Sequence, residues 1–212
     1  MKLYNFLPYR NKVKTAGFTI IELMVTVTIV VLVTGLIMVQ YSSFNNSVLL
    51  KDQAYLTAFD IREAQALAVS VRGQGAQFRE EYGLYFDMAQ INKYLLFQDN
   101  DALYGATVPA QYNPGEEVGV PYKVDPRFAI VNICVTNASA RTCYKDDPAT
   151  AGETIDATLK TLAITFRRPN FDAAFYSPSK AGIESAEIHF STPSAKIMRV
   201  VTVYQTGQVS VK

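Results

Sequence analysis

A run of 22 residues, Phe18 to Val39, carries a single charged side chain, Glu22. Roughly 20 helical residues cross a hydrocarbon core, so this run is long enough to span one. Its β-branched stretch from Val25 to Val33 would favour a strand in water. In lipid every backbone N–H and C=O must be satisfied within the segment, and a helix does that where a lone strand cannot. An acid at mid-bilayer costs roughly 2.5–3.5 kcal/mol on insertion scales, which makes Glu22 a functional candidate. Its position near one end of the run lowers that cost.

The charge of the chain is placed unevenly. Lys2, Arg10, Lys12 and Lys14 precede Gly17 and no acid does, so the net charge of +1 becomes −3 without those four. The rest of the chain has no basic surplus, and nucleic acid is not an expected partner. The positive-inside rule keeps the basic N-terminus cytoplasmic and sends everything after Val39 across the membrane. Cys134 and Cys143 then lie in an oxidising compartment, where an even count reads as one disulfide, with two free thiols as the alternative. Two cysteines and one distant histidine, His189, do not make a metal ligand set. A cleaved secretory signal has an apolar region of about 7–15 residues and a small-x-small site after it. Here the run is longer, and Gln40 to Asn46 offers no such site. A plain signal anchor explains the length and the flanking charge. It does not explain Gly17 directly before Phe18, or an acid four residues further on.

The segment Lys14-Thr15-Ala16-Gly17-Phe18-Thr19-Ile20-Ile21-Glu22-Leu23-Met24-Val25 resembles the leader junction of type IV pilins and type II secretion pseudopilins. The shared pattern is a basic leader, a glycine, a phenylalanine, and an apolar stretch with glutamate four residues past the phenylalanine. The resemblance covers Lys14 to about Val39. It implies that prepilin peptidase cuts between Gly17 and Phe18, that the new amine of Phe18 is methylated, and that an inner-membrane assembly platform builds the product into a filament with other pilin or pseudopilin subunits. Membrane lipid would surround the helix before assembly. Glu22 would pair with an N-terminal ammonium, its own or a neighbour's. In low dielectric that attraction is strong and offsets the desolvation of both charges, and a helix N-terminus also favours a carboxylate. The sequence departs from many pilins in having no proline between Phe18 and Val71. The expected helix therefore lacks a proline kink, with Gly35 and Gln40 to Ser47 as its softer points.

Four segments follow from this reading: a basic leader at 1–17, a membrane or filament-core helix at 18–39, its amphipathic continuation at 40–72, and a globular antiparallel β domain at 73–212. Leu49, Leu50, Ala54, Ile61, Ala64, Leu67, Ala68 and Val71 recur at mostly three- and four-residue steps, which predicts one helix from Phe18 to Val71. Gly73 and Gly75 would end it. Beyond it, short strands alternate with turn signals: Gly83–Phe86 and Tyr94–Phe97 as a hairpin, then Phe128–Val135, Thr161–Phe166, Ile183–Phe190, and a last hairpin from Met198 to Val211. Ala102 to Val124, rich in glycine, proline and tyrosine, reads as an irregular surface excursion. The expected class is α+β: a pilin-like fold, its long N-terminal helix packed on one antiparallel sheet of about five to seven strands. The helix end Arg62-Glu63-Ala64-Gln65-Ala66-Leu67-Ala68 followed by paired short strands resembles the H-type minor pseudopilins.

Catalytic signatures are lacking: no G-x-S-x-G, H-E-x-x-H, Walker loop or Rossmann fingerprint occurs. No enzyme activity, cofactor or metal is expected. His189 falls on the polar side of its strand and is expected at the surface. Asp99-Asn100-Asp101 could offer oxygens to calcium, but no full ligand loop follows and a polar turn fits as well. Asp146-Asp147-Pro148 reads as a turn. Arg167-Arg168-Pro169 and the single lysine of the C-terminal stretch are too few charges for a DNA site. The expected function is a structural subunit of a type IV pilus or type II secretion pseudopilus. It would begin as a single-pass inner-membrane protein whose globular domain is periplasmic or extracellular. The alternative is a bitopic receptor or adhesin that keeps its leader.

Overall fold

Thr19 starts a long helix. Its Oγ1 accepts the Glu22 N–H at 3.3 Å, and its carbonyl accepts the Leu23 N–H at 3.2 Å. That is an N-cap, with an acid in the first turn where the helix dipole favours one. The computed structural model describes residues 17–70, 81–99, 110–138, 140–145, 153–167, 171–192 and 197–212, with backbone alone at 39–43. The helix, α1 (Ile20–Val69), is followed by β1 (Glu81–Asp87), β2 (Lys93–Asp99), β3 (Tyr122–Lys123), β4 (Ala129–Asn137), β5 (Arg141–Cys143), β6 (Thr154–Ile155), β7 (Thr161–Phe166), β8 (Ala173–Tyr176), β9 (Ile183–Ser191), β10 (Met198–Tyr204) and β11 (Val209–Val211). Gly73 and Gly75 lie outside the described residues. The architecture is α+β. Two compact units are present, one ending at Phe44 and one running from Asn45 to Lys212, and α1 contributes to both.

In the first unit, Ile20–Met38 is long and apolar enough to cross a membrane, and none of it is buried within the chain. Ile20, Leu23, Val27, Val31 and Met38 are all exposed, as are residues on the other sides of the helix. The two threonines inside the stretch satisfy their hydroxyls locally. Thr26 donates to the Leu23 carbonyl at 2.9 Å and Thr28 to the Met24 carbonyl at 2.8 Å, so neither presents an unpaired donor to an apolar surrounding.

The second unit uses one face of α1 as a wall of its core. Leu50, Ala54, Ala58, Ile61, Ala64 and Ala68 are buried at helical spacing against both sheets. The alanines let backbone approach backbone. Polar tethers fix the register: Tyr94 Oη donates to Asp60 and lies 3.3 Å from Thr57 Oγ1, Tyr122 Oη donates to Glu63 at 3.0 Å, and Gln65 Nε2 donates to the Gly207 carbonyl at 2.6 Å. The rings of Phe86, Tyr94 and Tyr122 stack in sequence at centroid separations of 5.1 and 5.4 Å. Tyr55, Leu56 and Phe59 point the other way and stay exposed, Phe59 at 64%.

The single expected sheet is replaced by two. One has the order β3-β2-β1-β7-β8, the other β11-β10-β9-β4-β5-β6. Every pairing is antiparallel except β5 with β6. The long strands fall where the alternation placed them. The division into two sheets depends on which distant strands pair: β1 with β7 in the first, β4 with β9 in the second. Leu84, Phe86, Leu162 and Ile164 from the first sheet and Ile133, Ile188, Phe190, Val201 and Val203 from the second share one apolar cluster with α1.

The described part of the expected surface excursion is not a plain loop. The Val118 N–H donates to the Leu96 carbonyl and the Gln98 N–H to the Glu116 carbonyl, both at 2.9 Å, so the segment docks along β2. The Tyr112 ring lies 4.4 Å from that of Tyr85 and 5.5 Å edge-on from that of Phe97. Aromatic area buried against the sheet outweighs the turn-forming composition that suggested a solvated excursion.

Candidate functional site

Two places gather the residues that the sequence singled out. The first is the start of α1. Gly17 and Phe18 precede the helix and are exposed, Phe18 at 80%. An added Cβ at Gly17 would meet nothing within 4 Å, so packing within the chain does not demand glycine there. Glu22 is exposed in the first turn, three residues after its cap. The spacing Thr19-Ile20-Ile21-Glu22 is that of a capping box, of which the bond from the Glu22 N–H to Thr19 Oγ1 is formed; the helix dipole is the local reason for an acid in this turn.

The second place is the face of the second sheet that points away from α1. Cys134 on β4 and Cys143 on β5 are cross-strand partners and are joined as a disulfide. Cys134 is also in register with Glu187 on β9, and Asn132 with His189. Period-two alternation thus brings Cys134, Cys143, Arg141, Glu187 and His189 to one face. Arg141 binds Glu153 on one side, while its Nη2 reaches Glu187 Oε2 at 2.8 Å on the other. His189 Nε2 lies 3.1 Å from the same Glu187 oxygen, and Nδ1 faces the Met198 sulfur at 3.2 Å. The Nε2–H tautomer, donating to Glu187, satisfies that arrangement.

His189 is 1% exposed, which corrects the expectation of a surface histidine. The alternation placed it on the correct side of β9. What it could not show is that this face is covered as well, with Arg141, Glu187 and Met198 against the ring nitrogens. The Glu153 side chain is only 3% exposed. A buried carboxylate beside a buried imidazole needs a cation, and Arg141 provides it.

The same sulfur, carboxylate and ring atoms lie close enough to hold a metal, as Cys134, Glu187 and His189 or as Cys134, Cys143 and Glu153. The donor chemistry does not fit one. Both sulfurs are committed to each other and cannot act as thiolates, and both carboxylates are already paired with the Arg141 guanidinium. The arrangement is a buried ion-pair network that ties β5 and the 153–155 segment to β9. Across a sequence separation of nine, the disulfide adds on the order of 2–3 kcal/mol in the chain-entropy account.

The hydrogen bond from His189, with help from Arg141, holds the Glu187 carboxyl at about 2, well below its ordinary 4.5, against the opposing effect of burial. A depressed acid stabilises the fold above its unfolded pKa, and that stability is lost as pH falls through the folded value. Urea midpoints followed by tyrosine near-UV dichroism (the chain has no tryptophan) should therefore fall between about pH 4.5 and pH 2. Glu187→Gln should be less stable at neutral pH and flatter across that window. Parallel curves for the two proteins would contradict the assignment. Glu81 works with the opposite sign: burial raises its carboxyl more than Arg167 lowers it.

The other sequence candidates are dispersed. The Asp99 carboxylate is buried and accepts the Ala110 N–H at 3.2 Å, while Asn100 and Asp101 lie outside the described residues, as do Asp146, Asp147 and Pro148. Arg167 is paired with Glu81, and Arg168 and Pro169 lie outside. No family model, curated protein or solved structure matches the chain.

Proposed function

We propose that this chain is a structural subunit of a type IV pilus or type II secretion pseudopilus, released from its leader between Gly17 and Phe18 and assembled through its apolar helix. The observation that carries the reading is the junction itself: a glycine free of packing demands, an exposed phenylalanine and a capped helix start lead into Ile20–Met38, which finds no burial within its own chain. Such a surface needs lipid, neighbouring copies, or first one and then the other. Farther along α1, the exposed Tyr55, Leu56 and Phe59 supply additional unpartnered apolar area. The paired short strands after the helix end support the narrower reading of an H-type minor subunit. The work is mechanical, with helices stacked inward and domains outside.

Mass spectrometry of the protein purified from membranes tests this directly. The expected species begins at Phe18 and carries one methyl group on its amine. An intact Met1 terminus would instead favour an anchored receptor or adhesin. Glu22 needs a second comparison, because its place in the first turn gives it a local role with the helix dipole. Glu22→Gln keeps a helix-start hydrogen-bonding group and removes the charge. It should be processed normally and should enter filaments at least tenfold less than the parent, a loss of at least about 1.4 kcal/mol of assembly free energy. Normal incorporation of Glu22→Gln would leave the helix dipole as the whole reason for this acid.

A further inference from the structure

Lys93 on β2 and Lys123 on β3 face each other directly in an antiparallel pair. Like charges in that relation destabilise a sheet. The fold does not relieve them: among the described residues neither lysine makes an ion pair. The nearby cation Arg127 is treated differently, because Asp125 Oδ2 meets its Nη2 at 2.7 Å. Asp87, one step beyond the Phe86–Tyr94 pair of β1 and β2, turns its Oδ1 to the Ala89 N–H at 2.8 Å.

The two lysines border an open groove of about 590 Å³, lined also by Gln90, Ile91, Val124 and Pro126. That volume suits a few side chains. Its base is held by backbone bonds of 2.9 Å, Val124 N–H to the Asn92 carbonyl and Ile130 N–H to the Ile91 carbonyl. Ile91 is left 40% exposed in it. The groove is therefore preformed, with an apolar wall and, on one side, two lysines that form no ion pair among the described residues.

We propose that this groove docks an acidic segment of a partner protein, with a carboxylate between Lys93 and Lys123 and an apolar side chain against Ile91 and Pro126. Charge complementarity selects the carboxylate. A lipid surface is recognised by clusters of about four to eight basic residues, and two lysines fall short of that. Phosphate sites that use lysine as a point charge commonly add arginine forks or free backbone N–H groups at helix N-termini. Here the N–H groups of Val124 and Ile130 are already engaged. This inference does not depend on how the chain is anchored or processed.

The test uses the detergent-solubilised full chain and a fluorescein-labelled hexapeptide of alternating glutamate and leucine, read by anisotropy. The acidic peptide should bind roughly tenfold more tightly than its glutamine counterpart, and Lys93→Gln/Lys123→Gln should lose about the same factor with unchanged near-UV dichroism. Each single substitution should lose part of it, and added salt should weaken binding. Equal affinity for the two peptides overturns the proposal, as does undiminished binding by the double variant. Displacement by inorganic phosphate as effective as that by unlabelled peptide also overturns it, because the groove would then be a general anion site.

Discussion

Arg141→Met is expected to destabilise the second unit by about 3 kcal/mol at neutral pH. The substitution keeps much of the aliphatic volume and removes the guanidinium that bridges Glu153 and Glu187. Breaking a buried ion pair from one side leaves an uncompensated charge and costs roughly 3–5 kcal/mol. The lower end applies because Arg141 retains 21% of its side-chain exposure and water can reach part of the site. A second signature separates lost charge from lost packing. Without the guanidinium, the Glu187 carboxyl is held down less than in the parent, so the stability gap between the two proteins should narrow as pH falls from neutrality. Replacing Glu153 and Glu187 with apolar residues in the same background should recover stability, since exchanging a whole buried network for hydrophobic side chains is often neutral or better. Urea midpoints across that set decide the matter. A loss below about 1 kcal/mol in the single variant, the range of an exposed pair, would mean that the network is effectively solvated.

Gly83→Ala should be comparably damaging through sterics alone. Gly83 lies in β1, between Phe97 on β2 and Thr165 on β7. An added Cβ would overlap the Ile164 carbonyl oxygen, come within 2.6 Å of Thr165 Cγ2 and touch the Phe97 ring at 3.0 Å. The backbone oxygen cannot swing aside without breaking the β1–β7 ladder, and the Phe97 ring is held edge-on by Tyr112. Overpacking of a core commonly costs about 1–3 kcal/mol, and a clash with backbone puts this case at or above the top of that range. The expected readout is a lower urea midpoint with an unchanged slope. Gly35→Ala serves as control, because a Cβ there meets nothing within 4 Å and the residue belongs to the other unit. Parental stability in Gly83→Ala would show that β1 shifts at little cost.

The two variants mark where sequence reasoning stops. The helix was legible because an apolar run of membrane length and a following stripe at three- and four-residue steps are local patterns. The long strands were legible from alternation for the same reason. The number of sheets was not, because β1 finds β7 and β4 finds β9 across many intervening residues. Gly83 carried a readable signal, an isolated glycine inside a strand pattern, which often marks a close approach. The pattern does not say what approaches. Glu22 carried another in its place in the first turn behind Thr19, where the helix dipole favours an acid without any filament. His189 was placed on the correct face, yet its burial depends on Arg141, contributed 48 positions away.

The sequence by itself determined the apolar helix, its single acid, the basic residues before it and the α+β class. Each of these follows from the composition and period of contiguous residues, whose cost in water or lipid does not depend on distant neighbours. Tertiary structure alone decided that there are two sheets, that the face bearing the cysteines, arginine and histidine is closed, and that two lysines stand opposed beside an open groove. Those outcomes depend on which strands meet, and strand pairing is set by burial summed over the whole domain rather than by any one stretch of chain.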